Sequence, residues 1–384
     1  MMETDLRRRR LLQQLLAGAA LSLPLASGQA APSRPRVLVL LELQGANDSL
    51  NTLVPYADPA YRRLRPRLAI AREQVIALDE RRGLHPALAP LLPLWQAGDM
   101  AFVEGLGYAS PNRSHFRSID IWESASGADR FLSGGWLAPY LQSRPAGKRF
   151  IALGEDAGPL AGSPDNTLLI NNFEAFVNNA KRLRRVQQET ANPALRHLLS
   201  VQNAMQAAAL DFARAEKPAE LKGFGKDPFS RDMQTIASLI SSQSSVGIYK
   251  LGLAGFDTHA AQLPRHGRLL TQLAKGLRAF SDELKRRGRW QDVLIMSYSE
   301  FGRRAAENGS AGTDHGTAAA HFLLGGGVRG GFYGESPSLT RLSDGDLIAG
   351  VDYRRYYRTV ARDWLGFDEL PLLKEHQALP GLFA

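Results

Sequence analysis

The chain has 384 residues, 47 Lys and Arg against 38 Asp and Glu, and a formal charge of +9. It has no cysteine, which excludes disulfides, thiolate metal sites and cysteine nucleophiles. Its basic residues are scattered or in short runs (Lys181–Arg185, Lys285–Arg289) with no aromatic interleaving, which argues against a nucleic-acid partner and leaves only a mild affinity for anions.

At the N-terminus Arg7–Arg10 precede Leu11, Leu12 and an apolar stretch to Leu25. Small residues fill Ala26–Ala31. This order makes residues 1–31 an export signal, too short to be a lasting membrane span. Arg8-Arg9-x-Leu11-Leu12 resembles a twin-arginine signal, so the twin-arginine translocase is the expected export partner. A periplasmic or secreted location follows. Residues 32–384 are expected to form a single domain.

Val37–Leu43 lies in an apolar run, Arg36 to Leu43, of the kind a buried parallel strand needs. It ends in the turn-prone Gln44–Ser49, which holds Asp48. Leu84 to Trp95 has leucines at helical spacing, with Pro86 in its first turn. Met100–Glu104 reads as a short strand running into Pro111-Asn112-Arg113-Ser114-His115-Phe116, and Ser118–Ser124 as a helix. Strands are expected at Arg149–Leu153 and Thr167–Ile170. Residues 175–225 read as a charged helical insertion broken at Pro193. A strand at Ser245–Leu253, a helix at Leu263–Arg287, and strands at Val293–Ser297 and His321–Leu324 complete the pattern. Such alternation predicts an α/β/α sandwich on a mostly parallel, doubly wound sheet. Asp48, Ser114, Asp257 with His259, and Glu300 each follow a predicted strand, where open α/β sheets bind ligands.

The last third concentrates carboxylates and imidazoles in a chain with only eight histidines. Asp257, His259 and His315 form a candidate three-ligand metal set that leaves room for water or substrate. Asp48 and Glu300 could add carboxylate oxygens, and Asp314 either ligates or orients His315. Turn formation at Asp48 and an ion pair from Glu300 to Arg303 or Arg304 are the structural alternatives. Ser114 is the candidate nucleophile, with Asn112 and Arg113 placed to grip an anionic ester; helix capping is its alternative. His115 reads as structural or a substrate contact, His85 as a cap, and His321 as packed. No Gly-x-Ser-x-Gly elbow and no nucleotide fingerprint is present.

These motifs together resemble the exported bacterial family known as domain of unknown function 1501. The segments that carry the resemblance are Gly45–Asn51, Gly83–Pro86, Asn112–Phe116, Gly255–His259, Ser299–Arg303 and Gly312–Gly316. That family in turn resembles the alkaline phosphatase and sulfatase superfamily. The resemblance implies an alkaline phosphatase-like fold in which Asp48, Ser114, Asp257 with His259, Glu300 and His315 surround one or two metals. Two departures stand out. Phe301 occupies the place of an imidazole ligand, and Phe116 and Ser118 replace the Pro and Arg that a formylglycine sulfatase needs.

The reading is an exported metal-dependent hydrolase acting on a small anionic phosphate or sulfate ester. Its cofactor would be a divalent metal: zinc, manganese, magnesium or calcium. The alternative is a non-catalytic exported binding or partner protein that keeps the fold, with or without one metal.

Overall fold

Val37–Gln44 (β1) is buried along nearly its whole length, because it pairs in parallel with a strand on each side. The computed structural model describes residues 35–145, 150–180, 182, 190–213, 221–242 and 246–384. Residues 1–31, expected to be an export signal, lie outside the described residues. Residues Arg36–Ala384 form one compact unit. No described helix is long and apolar enough to cross a membrane.

The remaining strands of the main sheet are Met100–Gly107 (β2), Phe150–Leu153 (β3), Thr167–Ile170 (β4), Ile248–Ala254 (β5), Val293–Tyr298 (β6), Ala319–Leu324 (β7), Gly331–Gly334 (β8) and Val351–Asp352 (β9). Their order is β8-β2-β7-β6-β1-β5-β3-β4, with β9 also paired to β2. Every strand runs in one direction except β7, which is antiparallel to both β6 and β2. This single reversal matters for the site. The segment that precedes β7 starts at the same sheet edge where its neighbours end.

Helices cover both faces, giving the expected α/β/α layering. His115–Ser124 (α1) buries Ile121 and Trp122 with Leu38, Leu40 and Met296 on one face. Pro228–Ser241 (α4) and Gln262–Arg286 (α5) cover the other, where Ile236, Leu270 and Leu277 meet Val39, Leu41 and Tyr249. Alternation along each strand sends successive side chains to opposite cores. Tyr353–Thr359 (α6) adds Tyr356 and Tyr357 to the α1 side. In the expected insertion, Phe173–Ala180 (α2) and Pro193–Ala213 (α3) are helical, and Phe173 packs on Phe212 with ring centroids 5.3 Å apart. Much of the stretch between and after them lies outside the described residues.

Local departures from the predicted elements have simple causes. The Leu84–Trp95 pattern becomes a 3-10 helix, Pro86–Leu91, and a short α-helix, Leu92–Gln96, because Pro90 interrupts it. β2 extends to Gly107, beyond the predicted Glu104, because β7, β8 and β9 all pair with it.

Candidate metal centre

Four loops meet at the edge where β1, β2, β5 and β6 end. The β1 loop turns at Gly45 with φ of +101°. A Cβ there would stand 2.4 Å from the Asp257 nitrogen, so only glycine lets the loop after β5 come this close. Gly312 plays the same part for the segment before β7, since a Cβ would lie 2.2 Å from the His259 carbonyl carbon. Arg303, 1% exposed, staples these loops. Its guanidinium donates to the carbonyls of Gly45 (2.6 Å), Ala46 (2.8 Å) and Thr313 (2.8 Å), and to Asp257 Oδ1 (2.6 Å).

The stapled loops bring side chains together from α1, the β5 loop and the β7 approach. His115, Asp257 and His315 offer ligand atoms that all lie within 4.8 Å of one another. His115 Nε2 is 3.0 Å from His315 Nε2 and 3.6 Å from Asp257 Oδ2. His259 Nε2 is 2.9 Å from His315 Nε2 and 3.0 Å from Asp257 Oδ1.

Each of the three imidazoles is held from behind through its other nitrogen. His115 Nδ1 lies 2.6 Å from Glu300 Oε1. His259 Nδ1 lies 3.2 Å from Asp314 Oδ1, and His315 Nδ1 lies 2.8 Å from the Arg113 carbonyl. Carboxylates and carbonyls only accept, so each Nδ1 is the donor. The Nε2 atoms of His115 and His259 therefore each turn a lone pair toward His315 Nε2 and toward Asp257. Lone pairs at such distances are stable only with a cation among them, a proton or a metal ion. Imidazoles aimed by carboxylate or carbonyl partners behind them are the usual arrangement around a bound metal.

Electrostatics support ionised carboxylates and at least one neutral imidazole. Burial would raise the pKa of Glu300, but the hydrogen bonds from His115, Ser299 and backbone N–H groups hold it below the usual value. Burial acts likewise on Asp257, and the hydrogen bond and charge of Arg303 outweigh it. The Asn308 hydrogen bond is the main cause that lowers Asp314. Burial, with the charges of Arg303, His115 and His259, lowers His315 against the pull of the Arg113 carbonyl. The Glu300 hydrogen bond raises His115.

The predicted residues thus take distinct places. Asp257, His259 and His315 converge, with Asp314 behind His259 rather than behind His315. Glu300 faces His115 and the Gly45 N–H (2.9 Å), with Ser299 Oγ 2.8 Å from its other oxygen. Of the two arginines offered as structural partners for Glu300, Arg303 holds Asp257 and Arg304 lies 3.7 Å from Asp346. Asp48 is turned elsewhere. Its carboxylate is paired with Arg65 at 2.6 Å, both side chains being at most 1% exposed, and it also accepts from Gln262 and from the Leu50 N–H. Ser114 is the exposed N-cap residue of α1, and its side chain makes no capping hydrogen bond. Asn112 Oδ1 accepts the Ser114 N–H at 2.8 Å. The Arg113 guanidinium is paired with Asp346. Phe301 packs on the rings of His315 and His115, with centroids 4.6 and 4.9 Å away.

His115 is the central residue that sequence reasoning set aside. The available signal was its position one residue after a candidate nucleophile, on the first turn of a helix at a strand end. His85 caps the 3-10 helix through Nδ1, and His321 is buried against Trp122, as read from sequence.

Comparisons with known proteins complete the picture. Residues 102–365 match the model of a family described as "Protein of unknown function (DUF1501)". No curated protein matches the chain. Among solved structures, a protein in the alkaline phosphatase superfamily from Vibrio parahaemolyticus is similar at a TM-score of 0.43 and 10% identity, over 91% of this chain and 71% of that one. A phosphonate monoester hydrolase from Silicibacter pomeroyi gives 0.39 and 12%, over 90% and 76%. The PsFucS1 sulfatase from Pseudoalteromonas sp. gives 0.39 and 11%, over 91% and 72%. Likenesses this distant say nothing about activity.

Proposed function

The chain belongs to the DUF1501 family, and for it we propose a divalent-metal centre that hydrolyses phosphate or sulfate esters, in a protein exported to the periplasm or beyond. The observation that carries this reading is that His115 and His259 each bring Nε2 to His315 Nε2 and to the Asp257 carboxylate, each imidazole held from behind. His115, His259, His315 and Asp257 would hold the ion, a donor set suited to zinc and to other borderline divalent metals. When bound, the ion would polarise the ester oxygen and lower the pKa of a nearby hydroxyl or water.

The chain's own groups do the rest. Asp314, Glu300 and the Arg113 carbonyl keep the imidazoles in the ligating tautomer. Ser114 stands at the start of α1, where unpaired N–H groups and the helix dipole favour an anionic group. Its Oγ gives up its proton and forms a bond to phosphorus or sulfur, while the ester oxygen leaves with its electron pair and takes up that proton. Water then releases the phosphate or sulfate and restores the hydroxyl. Asn112 fixes the Ser114 backbone through the 2.8 Å hydrogen bond to its N–H.

Asp48 and Phe301 favour a single ion. The Asp48 carboxylate is already neutralised by Arg65, and an apolar ring stands against two of the imidazoles. The same features support the second reading, a partner protein with one structural metal.

Metal content and turnover on a panel of phosphate and sulfate esters test the proposal. The expected result is a bound metal, lost in His315→Ala together with ester turnover. A wild type that binds no metal sinks the hydrolase reading and leaves a partner protein without an ion. Full metal loading without turnover on any ester leaves the partner-protein reading in place of the enzyme.

A further inference from the structure

A groove of about 640 Å³ opens beside the metal centre. Its volume lies in the range of small-molecule sites. One wall is the loop from Gly107 to Arg113. The other is the hairpin of Leu342–Ser343 and Asp346–Leu347, which turns at Asp344 and Gly345, both at positive φ. Two lining residues lead directly to the site. The Arg113 carbonyl holds His315, and Thr317 lies two residues beyond it. The walls are tied together through Arg113 with Asp346 and through the Thr317 hydroxyl with the Leu347 carbonyl. The walls are therefore tied in place, and the groove adjoins Arg113, whose carbonyl holds His315.

Its charge is unlike that of the chain as a whole, which carries +9. Arg113 is paired with Asp346, whose side chain is 2% exposed. Asp352 is paired with Arg354 at 2.5 Å. Asp344 is exposed, and its side chain has no partner among the described residues. The lining thus presents one free carboxylate and no free cation among the described residues. A second anionic group on the substrate would meet like charge and find no guanidinium to receive it. Hydroxyl groups, in contrast, find acceptors at Asp344 and Ser343. A carbon face finds Ile348, which is 52% exposed.

Resting on the ester-hydrolase reading above, we propose that this groove receives the alcohol portion of the substrate, and that this portion is a hydroxyl-rich group without negative charge, such as a sugar or polyol.

The test uses the metal-loaded full chain with three phosphate esters and their sulfate counterparts. These are glucose 6-phosphate, methyl phosphate (whose remainder is too small for the groove) and 3-phosphoglycerate with an anionic remainder. The expected kcat/KM for the glucose ester is at least tenfold above the other two. Asp344→Lys and Ile348→Asp, both at exposed positions, should each collapse the glucose-to-methyl ratio at least tenfold. An unchanged ratio in both variants, or a preference for the anionic ester, overturns the proposal. If the wild type hydrolyses none of the esters, the hydrolase reading fails separately. Calorimetric titration with glucose 6-phosphate then decides the groove. Binding weakened tenfold or more by Asp344→Lys supports it, and no binding overturns it.

Discussion

Glu300 Oε1 lies 2.6 Å from His115 Nδ1, at the end of a buried strand and behind an imidazole that faces the candidate metal centre. The pair sets the tautomer of His115, and with it the direction of one lone pair. Removal of such a supporting carboxylate typically lowers metal affinity about 10- to 100-fold. Glu300→Ala is expected to do so, as measured by competition with a chelator, while circular dichroism shows the fold retained. Unchanged affinity would mean that His115 is not a ligand.

Ser114→Ala separates chemistry from capping. A capping serine replaced by alanine costs about 1 kcal/mol. Here the side chain makes no capping hydrogen bond, so the stability change should fall below that figure. Ester turnover should disappear, with metal content intact. Retained turnover at wild-type level would remove Ser114 from the mechanism.

Asp48 and Arg65 make the opposite case. Breaking a buried pair by removing one partner costs about 3–5 kcal/mol, because the remaining charge is left without compensation. Arg65→Ala should therefore lower the denaturation midpoint strongly. Asp48→Asn should leave metal stoichiometry at the wild-type value by elemental analysis. Loss of a metal equivalent in Asp48→Asn would assign its carboxylate to a ligand position.

Acid stability should report the buried histidines away from the centre. Burial lowers His266 to about 4 and His321 to about 3, against 6.5 when unfolded. The unfolded chain binds more protons between these limits, so stability is full above pH of about 6.5 and falls as the pH drops toward the folded values. Each such group costs about 1.4 kcal/mol per pH unit within that window. Neither ring nitrogen of His321 has a hydrogen-bond partner among the described residues. His321→Phe keeps an aromatic contact with Trp122 and should flatten the fall measured by urea unfolding at pH 7 and pH 5. An identical pH slope in the variant would show that His321 is not neutral and buried in solution.

The architecture was legible in the chain because its signals are local. The apolar run at Val37–Leu43 can only be a strand covered on both faces, and alternation with Leu- and Ala-rich helical spacing implies layers around it. The grouping of Asp257, His259, Glu300 and His315 near strand ends was equally visible, since each motif directly follows an apolar segment or stands in the loop beyond one. That His115 joins them was not. That depends on strand order, and β7 running against its neighbours is a long-range pairing with no local signature. The reversal carries His315 to the edge reached by His115 and Asp257. Asp48 shows the same limit from the other side. Its turn was readable in the sequence, but its carboxylate answers to Arg65, seventeen residues away, because desolvation forces a buried charge to find its partner in the folded chain.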